Sequence, residues 1–513
     1  MPGLAIGDWV TLHARYQPRA ECMVRPDGTS LTYAEADRQV TRLAWALRAA
    51  GLGPGDRIGV LATDSPEYLC VLLASMKLGT TFVAINFRLS PPEIANLLQS
   101  AGVSALFLGG RYAEAAAPAR AALGARLRLT VWLDGGDGTG TSYAGLIASA
   151  PREAELESAV AEEDILSLAL TSGTTGVPKG VLQSQRMIRA LVQSGALELG
   201  LQPDDLIYSG APLFHISGFG HFLYGLSRGC ASLILPQFDA GTVLRWMQGG
   251  RLRHCMLIPS MILSVLGRPG VAGASYDGLR SIMYGGAPIP PSVIARVAAT
   301  FGCDLYNGFG AGTEAGGQAM FRPADHRRAL AGEEHLLGSI GKPGMGVLLR
   351  LCDDDLNDVP DGQVGEIVTR SDACMSGYLN QPQETAKVLV DGWFRGGDMA
   401  HRDKDGYLYL SGRKSDMIIR GGENIYPIEI EDVLSSCPGV REVAVVGVAD
   451  AHWGEIVRAH LILEHGADFD EAAVRGYARQ RLAGYKIPAI FEVQDDFPRN
   501  ASGKVLKREL RSR

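Results

Sequence analysis

The segment 171–180, TSGTTGVPKG, carries residues well suited to chemistry on a phosphate group. It follows directly on the apolar run ILSLAL, so a strand is expected to lead into this loop of glycine, serine and threonine. Such a loop presents several backbone N–H groups and hydroxyls at one point, and Lys179 adds a cation. The segment therefore predicts a polyphosphate-binding loop, and its spacing differs from both the Walker A and the Rossmann glycine patterns.

Chemistry on a bound polyphosphate makes further demands on an enzyme. The anionic phosphates must be held, and the negative charge that develops at the reacting phosphorus must be stabilised. Cations and N–H donors are therefore required near the loop. The chain offers candidates further along, in the order PLFH (212–215), GGAP (285–288), TE (313–314), WFRGGD (393–398), GRKSDMIIRGGENIYPIEIE (412–431) and RNASGK (499–504).

This ordered series resembles the motifs of the adenylate-forming superfamily, which comprises acyl-CoA synthetases, adenylation domains that load carrier proteins, and luciferases. The resemblance runs through nearly the whole chain, and ordered collinearity is more specific than any one motif. It implies nucleotide-binding roles for three groups of residues: Thr171, Ser172, Gly173, Thr174, Thr175 and Gly176 at the phosphates; Gly286, Ala287, Pro288, Asn307 and Phe309 at the adenine; and Asp398 and Arg413 at the ribose.

The resemblance also implies catalytic roles. Lys179 would hold the β- and γ-phosphates, and Thr313 and Glu314 would contact the α-phosphate and Mg²⁺, with Glu314 as the metal ligand. Lys504 would bridge the carboxylate and the α-phosphate during adenylation. The expected cofactors are ATP and Mg²⁺, with coenzyme A as co-substrate.

A second half-reaction is implied for the C-terminal region. In the family the small domain swings after adenylation, which withdraws the terminal lysine and brings the segment with Gly421, Gly422 and Glu423 to the thiol. Ser415 would be the hinge, where the family commonly has Asp or Lys. Three further departures are Gly397, which replaces the usual Thr, Gln185, which stands where a His often follows the phosphate loop, and one extra residue between Phe309 and Thr313. Either Phe309 stacks on adenine across that insertion or no aromatic residue does.

The acid is expected to bind near the segment 212–224. Residues 206–238 contain no acidic side chain and only Arg228 as a basic one, which disfavours amino acids and short diacids. The remaining apolar and aromatic side chains fit a hydrophobic acid, whether medium- or long-chain fatty, aromatic or alicyclic. Glycines at 218, 220, 308 and 310 are expected to leave room for it. The predicted substrate-binding residues are His215, Phe219, Gly285, Gly308 and Gly310; His215 could instead be a packed core histidine.

Alternating strand and helix patterns predict the elements that position these residues. Thr32 and Glu35 have capping-box spacing before a helix over 33–50, a strand is predicted at 57–62, and Ser65 and Pro66 open a helix that ends near Leu78. Strand patterns recur at 81–86, 165–171, 231–236, 255–259 and 281–284, each expected to precede a helix. The fold class is therefore α/β, with doubly wound, largely parallel sheets and ligand sites beyond the carboxyl ends of the strands.

The pattern changes in the last third of the chain. From about 336 to 412, Gly, Pro and Asp punctuate short strands without separating helices, which predicts a β-rich subdomain. A compact α+β pattern follows. We expect an N-terminal adenylation domain over 1–413, a hinge at 414–416 and a small mobile C-terminal domain over 417–513; one continuous fold is the alternative.

Composition narrows the functional class. Hydrophobic residues make up 46% of the chain and charged residues 20%, and 49 basic against 56 acidic groups give a net charge of −7. This balance argues against nucleic acid as a partner. The eight cysteines form no C-x-x-C pair, so neither a disulfide framework nor a zinc site is expected. No signal peptide or membrane span is apparent, so a cytoplasmic monomer or homodimer is predicted.

Two competing motifs carry little weight. Residues 225–229 fit the G-x-S-x-G nucleophile elbow, but such a match is expected by chance in so glycine-rich a chain. Residues 310–315 fit a relaxed dinucleotide fingerprint without the expected acidic residue downstream. The sequence thus predicts an AMP-forming acid:CoA ligase; the alternatives are an enzyme that loads an acyl carrier protein and a non-catalytic nucleotide-binding relative.

Overall fold

The computed structural model describes residues 4–150, 156, 158–171, 179–287, 289–421, 423–450, 452–499 and 505–511. The chain divides into two compact units, one comprising Met1–Leu348 and Thr369–Phe394, the other Leu349–Val368 and Arg395–Arg513. Among the residues described, no helix combines the length and the apolar character needed to cross a bilayer.

The helices follow one another along both units. They are α1 (Trp9–Tyr16), α2 (Tyr33–Ala49), α3 (Pro66–Leu78), α4 (Pro91–Ala101), α5 (Ala113–Leu123), α6 (Tyr143–Ser149), α7 (Gln185–Glu198), α8 (Ile216–Arg228), α9 (Ala240–Gln248), α10 (Pro259–Leu266), α11 (Pro291–Phe301), α12 (Gly312–Ala315), α13 (Pro323–Leu330), α14 (Pro382–Val388), α15 (Pro427–Ser435), α16 (Glu471–Arg479) and α17 (Lys507–Arg511).

The strands of the first unit build two large sheets. Those before residue 348 are β1 (Glu21–Val24), β2 (Ser30–Thr32), β3 (Arg57–Leu61), β4 (Thr81–Ala84), β5 (Ala105–Gly109), β6 (Leu129–Asp134), β7 (Thr141–Ser142), β8 (Ile165–Thr171), β9 (Lys179–Ser184), β10 (Leu206–Ser209), β11 (Ala231–Leu233), β12 (Leu252–Leu257), β13 (Ser281–Gly285), β14 (Asp304–Phe309), β15 (Ala319–Phe321) and β16 (Lys342–Pro343).

The later strands follow one another at shorter intervals along the chain. They are β17 (Leu348–Cys352), β18 (Gly365–Arg370), β19 (Gly377–Tyr378), β20 (Leu389–Val390), β21 (Trp393–Arg402), β22 (Leu408–Arg413), β23 (Ile418–Arg420), β24 (Glu423–Ile425), β25 (Val440–Asp450), β26 (Gly454–Leu463) and β27 (Ile490–Val493).

The two sheets of the first unit confirm the predicted α/β class. One has the order β16-β15-β14-β13-β12-β10-β11-β1-β2 and the other β19-β9-β8-β4-β3-β5-β6-β7. Strands β10 to β14 pair in parallel, as do β3 with β4 and β5, and helices connect most of them. The carboxyl ends of these strands therefore share an edge of each sheet, where ligand-binding loops are expected.

Local signals set the boundaries of several elements as predicted. The Thr32 side chain accepts from the Glu35 backbone while the Glu35 carboxylate accepts from the Thr32 backbone, so the capping box starts α2. Ser65 caps α3, which ends at Gly79 in the left-handed conformation. One expectation was wrong: β8 leads into the antiparallel strand β9, not into a helix.

Large buried side chains join the helices of the first unit to its sheets. One core cluster contains Tyr33 of α2, Tyr68 of α3 and Phe219 of α8, each at most 1% exposed. Burial of this kind is the main stabilising contribution in a domain of this size. Helix α8, which carries part of the predicted acyl site, is thereby held by the core on one face.

The second unit has its own sheet and core. Strands β24, β23, β26 and β25 lie in that order, and β27 pairs in parallel with β26. Strands β21 and β22 form an antiparallel pair. The β-rich segment does contain a helix, α14, contrary to the prediction that no helix separates its strands. Residues 414–416 form a single 3-10 turn inside this unit, and the predicted domain boundary there stays a prediction.

Candidate functional site

The predicted phosphate loop connects two strands that pair directly. Thr171, the last residue of β8, lies opposite Lys179, the first residue of β9, in the antiparallel register. The loop between them therefore begins and ends at adjacent backbone positions. Ser172, Gly173, Thr174, Thr175 and Gly176 lie outside the described residues.

Lys179 has two partners on the segment 377–388. Its Nζ lies 2.8 Å from Oε2 of Glu384 in α14 and 4.8 Å from the ring centroid of Tyr378. Lys387 pairs with the same carboxylate at 2.5 Å. The hydrogen bonds from the two lysines lower the pKa of Glu384 to about 2, so it is ionised. Sequence reasoning missed Glu384 and Tyr378, because neither stands in a motif that it used.

The predicted adenine segment lies at the carboxyl end of β13. Gly285 pairs with Gly308 across the parallel strands β13 and β14, and Tyr284 pairs with Asn307. A Cβ on Gly285 would collide with the Gly308 carbonyl oxygen, so the two strands approach closely because a glycine stands there. Gly286 follows at φ +80, a conformation that favours glycine. Ala287 continues the turn, and Pro288 lies outside the described residues.

Thr313 and Glu314 lie on the single-turn helix α12, which two backbone contacts hold. Gln183 of β9 donates from Nε2 to the Thr313 carbonyl at 2.9 Å. The Met375 N–H donates to the Glu314 carbonyl at 2.7 Å. The helix that bears the predicted metal ligand is thus attached directly to the strand that begins with Lys179.

Phe309 ends β14 four residues before Thr313, and it pairs with Ala319 of β15. Its side chain is half-buried. Gly310 and Ala311 connect β14 to α12, which begins at Gly312. Stacking of Phe309 on adenine stays a prediction.

Of the four glycines expected to leave room for the acid, three stand where a Cβ would collide with other atoms of the protein. A Cβ on Gly218 or Gly310 would collide with the carbonyl oxygen of Pro212 or Gly316, and one on Gly308 would lie 2.6 Å from Cε of Met283. These glycines allow close packing of the chain on itself. At Gly220 the nearest atom would be 3.8 Å away, so a Cβ would fit there in ordinary van der Waals contact.

His215 is the residue that precedes α8, at the N-cap position. Its ring packs against that of Phe214, with centroids 4.5 Å apart. Burial, together with the nearby Arg88 guanidinium, lowers the pKa of His215 to about 4, so the imidazole is neutral at physiological pH. Phe219, one turn further along α8, is fully buried in the core. Neither position tests the predicted roles at the carboxylate.

Two charged residues from outside the predicted acyl segment lie next to it. Arg88 stands over the rings of Phe87 and Phe214, with Cζ 5.7 and 5.8 Å from their centroids. The Asp64 carboxylate accepts the Leu213 N–H at 3.1 and 3.2 Å, and burial raises the pKa of Asp64 to about 7. The search for charges within 206–238 could not find them, because they come from loops after β3 and β4.

In the second unit the predicted ribose residues are brought together. Asp398 and Arg413 are register partners of β21 and β22, and Arg413 Nε lies 2.6 Å from Asp398 Oδ1. Gly397 adopts φ +77 and donates its N–H to Glu366 at 3.3 Å. A threonine would be strained in that conformation, which gives a backbone reason for the glycine.

The predicted hinge residue Ser415 is flanked by two sets of ion pairs. Lys414 pairs with Asp354 and, at 3.3 Å, with Glu366. Arg511 of α17 donates to the Ser415 carbonyl at 3.2 Å and lies 3.5 Å from Asp416 Oδ1. The backbone and side chains on each side of Ser415 are therefore tied to different elements.

The predicted CoA segment precedes β24. Gly421 adopts φ +60 beneath the Trp453 ring, where a Cβ would lie 2.8 Å from Cε3, and Glu423 begins β24. Gly422 and Lys504 lie outside the described residues.

A bound Mg²⁺ would rely on few protein ligands. No cluster of three or more His, Cys, Asp and Glu side chains suited to a metal occurs among the residues described. Mg²⁺ in nucleotide enzymes is held by one or two carboxylates together with substrate phosphates. A single carboxylate such as Glu314 fits that pattern.

The G-x-S-x-G segment is not a nucleophile elbow. Residues 225–229 form the last turn of α8 and its C-cap, and the Ser227 hydroxyl donates to the Tyr224 carbonyl at 2.7 Å. An elbow requires a strand immediately before the serine.

Two family models match this chain. Residues 10–379 match the model of the AMP-binding enzyme family, and residues 429–504 match that of the AMP-binding enzyme C-terminal domain. A feruloyl-CoA synthase of an Amycolatopsis species is 37% identical over 514 residues, which cover 100% of both chains. A fatty acid–[acyl-carrier-protein] ligase of Streptomyces coeruleorubidus is 33% identical and covers 98% of this chain and 95% of its own.

A solved structure shows the same fold. The o-succinylbenzoate-CoA synthetase of Bacillus subtilis, determined in complex with its acyl-adenylate intermediate, superposes with a TM-score of 0.85. It is 28% identical, and the match covers 98% of this chain and 97% of that one.

Proposed function

This chain belongs to the AMP-binding enzyme family of the adenylate-forming superfamily, and from that premise we propose that it joins a hydrophobic carboxylic acid to coenzyme A through an acyl-adenylate. It is an enzyme of the acyl-CoA synthetase type, and two relatives that match nearly its whole length are named as CoA-thioester-forming enzymes. The observation that carries the proposal is the Gln183–Thr313 hydrogen bond, which ties the strand of Lys179 to the helix of Glu314. A cation for the phosphates and a carboxylate for a metal thus come from connected elements.

In the first step a carboxylate oxygen of the acid attacks the α-phosphorus of ATP. The new O–P bond forms as the bond to pyrophosphate breaks, which gives acyl-AMP. Lys179 supplies positive charge for the leaving phosphates, and Lys504 supplies it between the two reacting anions. Mg²⁺ held by Glu314 and the phosphates would neutralise part of the triphosphate charge.

In the second step the thiol sulfur attacks the acyl carbonyl. The carbon–oxygen bond to AMP breaks, AMP leaves with the bonding electrons, and the thiol proton is lost to solvent. The proposed hinge at Ser415 would bring Gly421, Gly422 and Glu423 to this step. The assignment is supported by the separate anchoring of the residues on each side of Ser415.

The neutral His215 supports an apolar acyl site. An uncharged imidazole adds no fixed charge beside Phe214 and Phe219, so a hydrophobic acid would meet little desolvation cost there. Feruloyl-CoA synthase, one of the relatives, acts on an aromatic acid by name, which makes aromatic acids the first to test. Arg88 beside Phe214 makes a dicarboxylic acid a necessary control.

A carrier-protein phosphopantetheine is the second candidate acceptor. The relative from Streptomyces coeruleorubidus is named as a ligase for an acyl carrier protein at 33% identity over nearly the whole chain. The thiol ends of coenzyme A and of a carrier-protein phosphopantetheine are chemically the same. An experiment, and not the residues of the adenylation site, therefore decides between the two acceptors.

The test is pyrophosphate release with MgATP against fatty, aromatic, alicyclic, amino and dicarboxylic acids, each with and without CoA. Release with a hydrophobic acid and mass-detected acyl-CoA is the expected result. Release of pyrophosphate without formation of a thioester would favour an enzyme that loads a carrier protein. If no acid caused pyrophosphate release, the proposal would be overturned. Lys504→Ala should depress adenylation at least about 100-fold while sparing thioester formation from supplied acyl-AMP; equal losses in both steps would contradict its assigned role.

A further inference from the structure

Gln183 is a buried polar residue of strand β9 to which no step of the proposed reaction assigns a role. Its side chain is 0% exposed. Nε2 donates to the Thr313 carbonyl at 2.9 Å, and Oε1 has no hydrogen-bond partner among the described residues. An apolar side chain would occupy a buried strand position at a lower desolvation cost. The bond to Thr313 is therefore what the glutamine adds at this position.

Helix α12, which receives this bond, is one turn long and depends on contacts from outside. The last carbonyl groups of a helix have no intrahelical partners, and a single turn has little stability of its own. The Thr313 carbonyl accepts from Gln183, and the Glu314 carbonyl accepts from the Met375 N–H at 2.7 Å. Met375 lies two residues before β19, which pairs with β9. Both bonds therefore tie α12 to β9 or to the strand beside it.

The face of β9 that bears Gln183 also bears the predicted phosphate lysine. Lys179, Val181 and Gln183 alternate along the strand, so they point to one side of the sheet. Val181 belongs to an apolar cluster with Ala315 of α12 and Tyr378, and Lys179 Nζ lies 4.8 Å from the Tyr378 ring centroid. Lys179 and Gln183 are four residues apart, which is about 13 Å along a strand. Strand β9 therefore relates the position of α12 to that of Lys179.

We propose that Gln183 is a positioning residue, which holds α12 so that the Glu314 carboxylate is kept in place as a metal ligand beside the phosphates. The inference rests on the proposed function. Two bonds to neighbouring carbonyl groups fix the direction of a short helix, whereas the Met375 bond alone would let α12 turn about one point of attachment. Gln183 acts through the backbone of Thr313, as the residues behind a metal ligand commonly do.

The experiment measures metal binding directly, with the full-length protein and a non-hydrolysable ATP analogue. Mn²⁺ replaces Mg²⁺, and its Kd is measured by electron paramagnetic resonance. Gln183→Met keeps the length of the side chain and removes the donor, so the Kd for Mn²⁺ should rise about 10-fold. Gln183→Asn keeps an amide that is one methylene too short to reach the Thr313 carbonyl. It should raise the Kd at least about 3-fold, and it is the milder variant should the methionine variant not fold.

A double-mutant cycle with Glu314→Gln separates positioning from general damage. Glu314→Gln removes the predicted metal ligand and should itself raise the Kd for Mn²⁺ about 10-fold or more. Because Gln183 acts through Glu314, adding Gln183→Met to Glu314→Gln should change that Kd less than about 2-fold further.

Tyr33→Phe is the matched control. It likewise removes a buried side-chain donor from a backbone carbonyl, that of Cys230 at 2.7 Å, which links α2 to the residue before β11. It should lower the Tm of the protein and leave the Kd for Mn²⁺ unchanged.

An unchanged Kd for Mn²⁺ in both Gln183 variants would overturn the inference. An unchanged Kd in Glu314→Gln would overturn it too, because no ligand would then be left to position. An equal effect of Gln183→Met with and without the Glu314 carboxylate, or a comparable rise in Tyr33→Phe, would show a structural role only. If the cycle shows the expected coupling but no acid releases pyrophosphate, the proposed function fails while the role of Gln183 stands.

Discussion

Lys179 and Glu384, 205 residues apart in the chain, form an ion pair of 2.8 Å. The lysine predicted to hold the β- and γ-phosphates thus has a carboxylate as its partner. An incoming triphosphate has to compete with that carboxylate for the ammonium group. Glu384 is therefore positioned to lower the affinity for ATP.

Replacing Glu384 by glutamine should strengthen ATP binding. The change removes one negative charge from the neighbourhood of the triphosphate and keeps a side chain of equal size. A partly exposed pair of this kind is worth up to about 1 kcal/mol, so the KM for ATP should fall about 2- to 5-fold, and the effect should weaken at high salt. Steady-state kinetics at 50 and 300 mM salt measure it.

Lys387→Gln provides the control for Glu384→Gln. Lys387 pairs with the same carboxylate, but its side chain is 69% exposed, so its loss should change the KM for ATP less than 2-fold. A higher KM in Glu384→Gln would show that the carboxylate orients Lys179 for the phosphates and does not compete with them.

The sequence predicted the elements whose signals are local. The capping box of Thr32 and Glu35 and the helix start at Ser65 and Pro66 each act within a few residues, and the structure has both where they were predicted. The antiparallel pairing of β8 with β9 was missed because the residues between the two strands were assigned to ligand binding and not to a connection between paired strands.

Partners that come from distant segments could not be predicted. Glu384 reaches Lys179, and Asp64 reaches Leu213 across 149 residues, only because the tertiary fold brings those segments together. The glycines were misread for a related reason. A glycine is equally consistent with an open pocket and with close packing, and Gly218 and Gly310 turn out to be places where the chain packs on its own carbonyl groups.

Asp64 should make the free energy of unfolding depend on pH. Burial raises its pKa from 3.8 to about 7, so between these values the folded protein binds more protons at Asp64 than the unfolded chain does. This contribution to stability is present at low pH and is lost as the pH rises toward 7. Asp64→Asn cannot ionise and can still accept the Leu213 N–H, so it should gain stability over the parent as the pH rises.

Thermal unfolding of Asp64→Asn and the parent at pH 5 and pH 8 checks this. The difference in Tm should favour the variant by about 2–4 °C more at pH 8 than at pH 5. Buried neutral histidines such as His215 act in the opposite direction but are common to both proteins. Asp204→Asn, at an exposed position, should show no such difference, and an equal difference at both pH values for Asp64→Asn would refute the role of its ionisation.

Arg511 should restrain the segment around Ser415. Its guanidinium donates to the Ser415 carbonyl and lies near Asp416, so Arg511→Ala removes about one hydrogen bond from the proposed hinge. Local opening there should become about 2- to 10-fold more frequent. Limited trypsin digestion reports it as faster cleavage after Arg413 or Lys414. The control is Arg508→Ala, an exposed position on the same helix, which trypsin should cleave at the rate of the parent protein. If Arg511→Ala were also cleaved at the parent rate, α17 would not restrain the hinge.

Gly285 and Gly308 should differ in their tolerance of alanine although they are register partners. A methyl group on Gly285 meets the fixed carbonyl oxygen of Gly308, so β13 and β14 would have to separate at the predicted adenine site. A methyl group on Gly308 meets Cε of Met283, the movable end of a flexible side chain, at 2.6 Å. Gly285→Ala should therefore cost about 1–3 kcal/mol and raise the KM for ATP severalfold, whereas Gly308→Ala should cost less than about 1 kcal/mol. Chemical denaturation and ATP kinetics of the two variants measure both effects, and equal losses would mean that the close approach of the strands does not set the geometry of the nucleotide site.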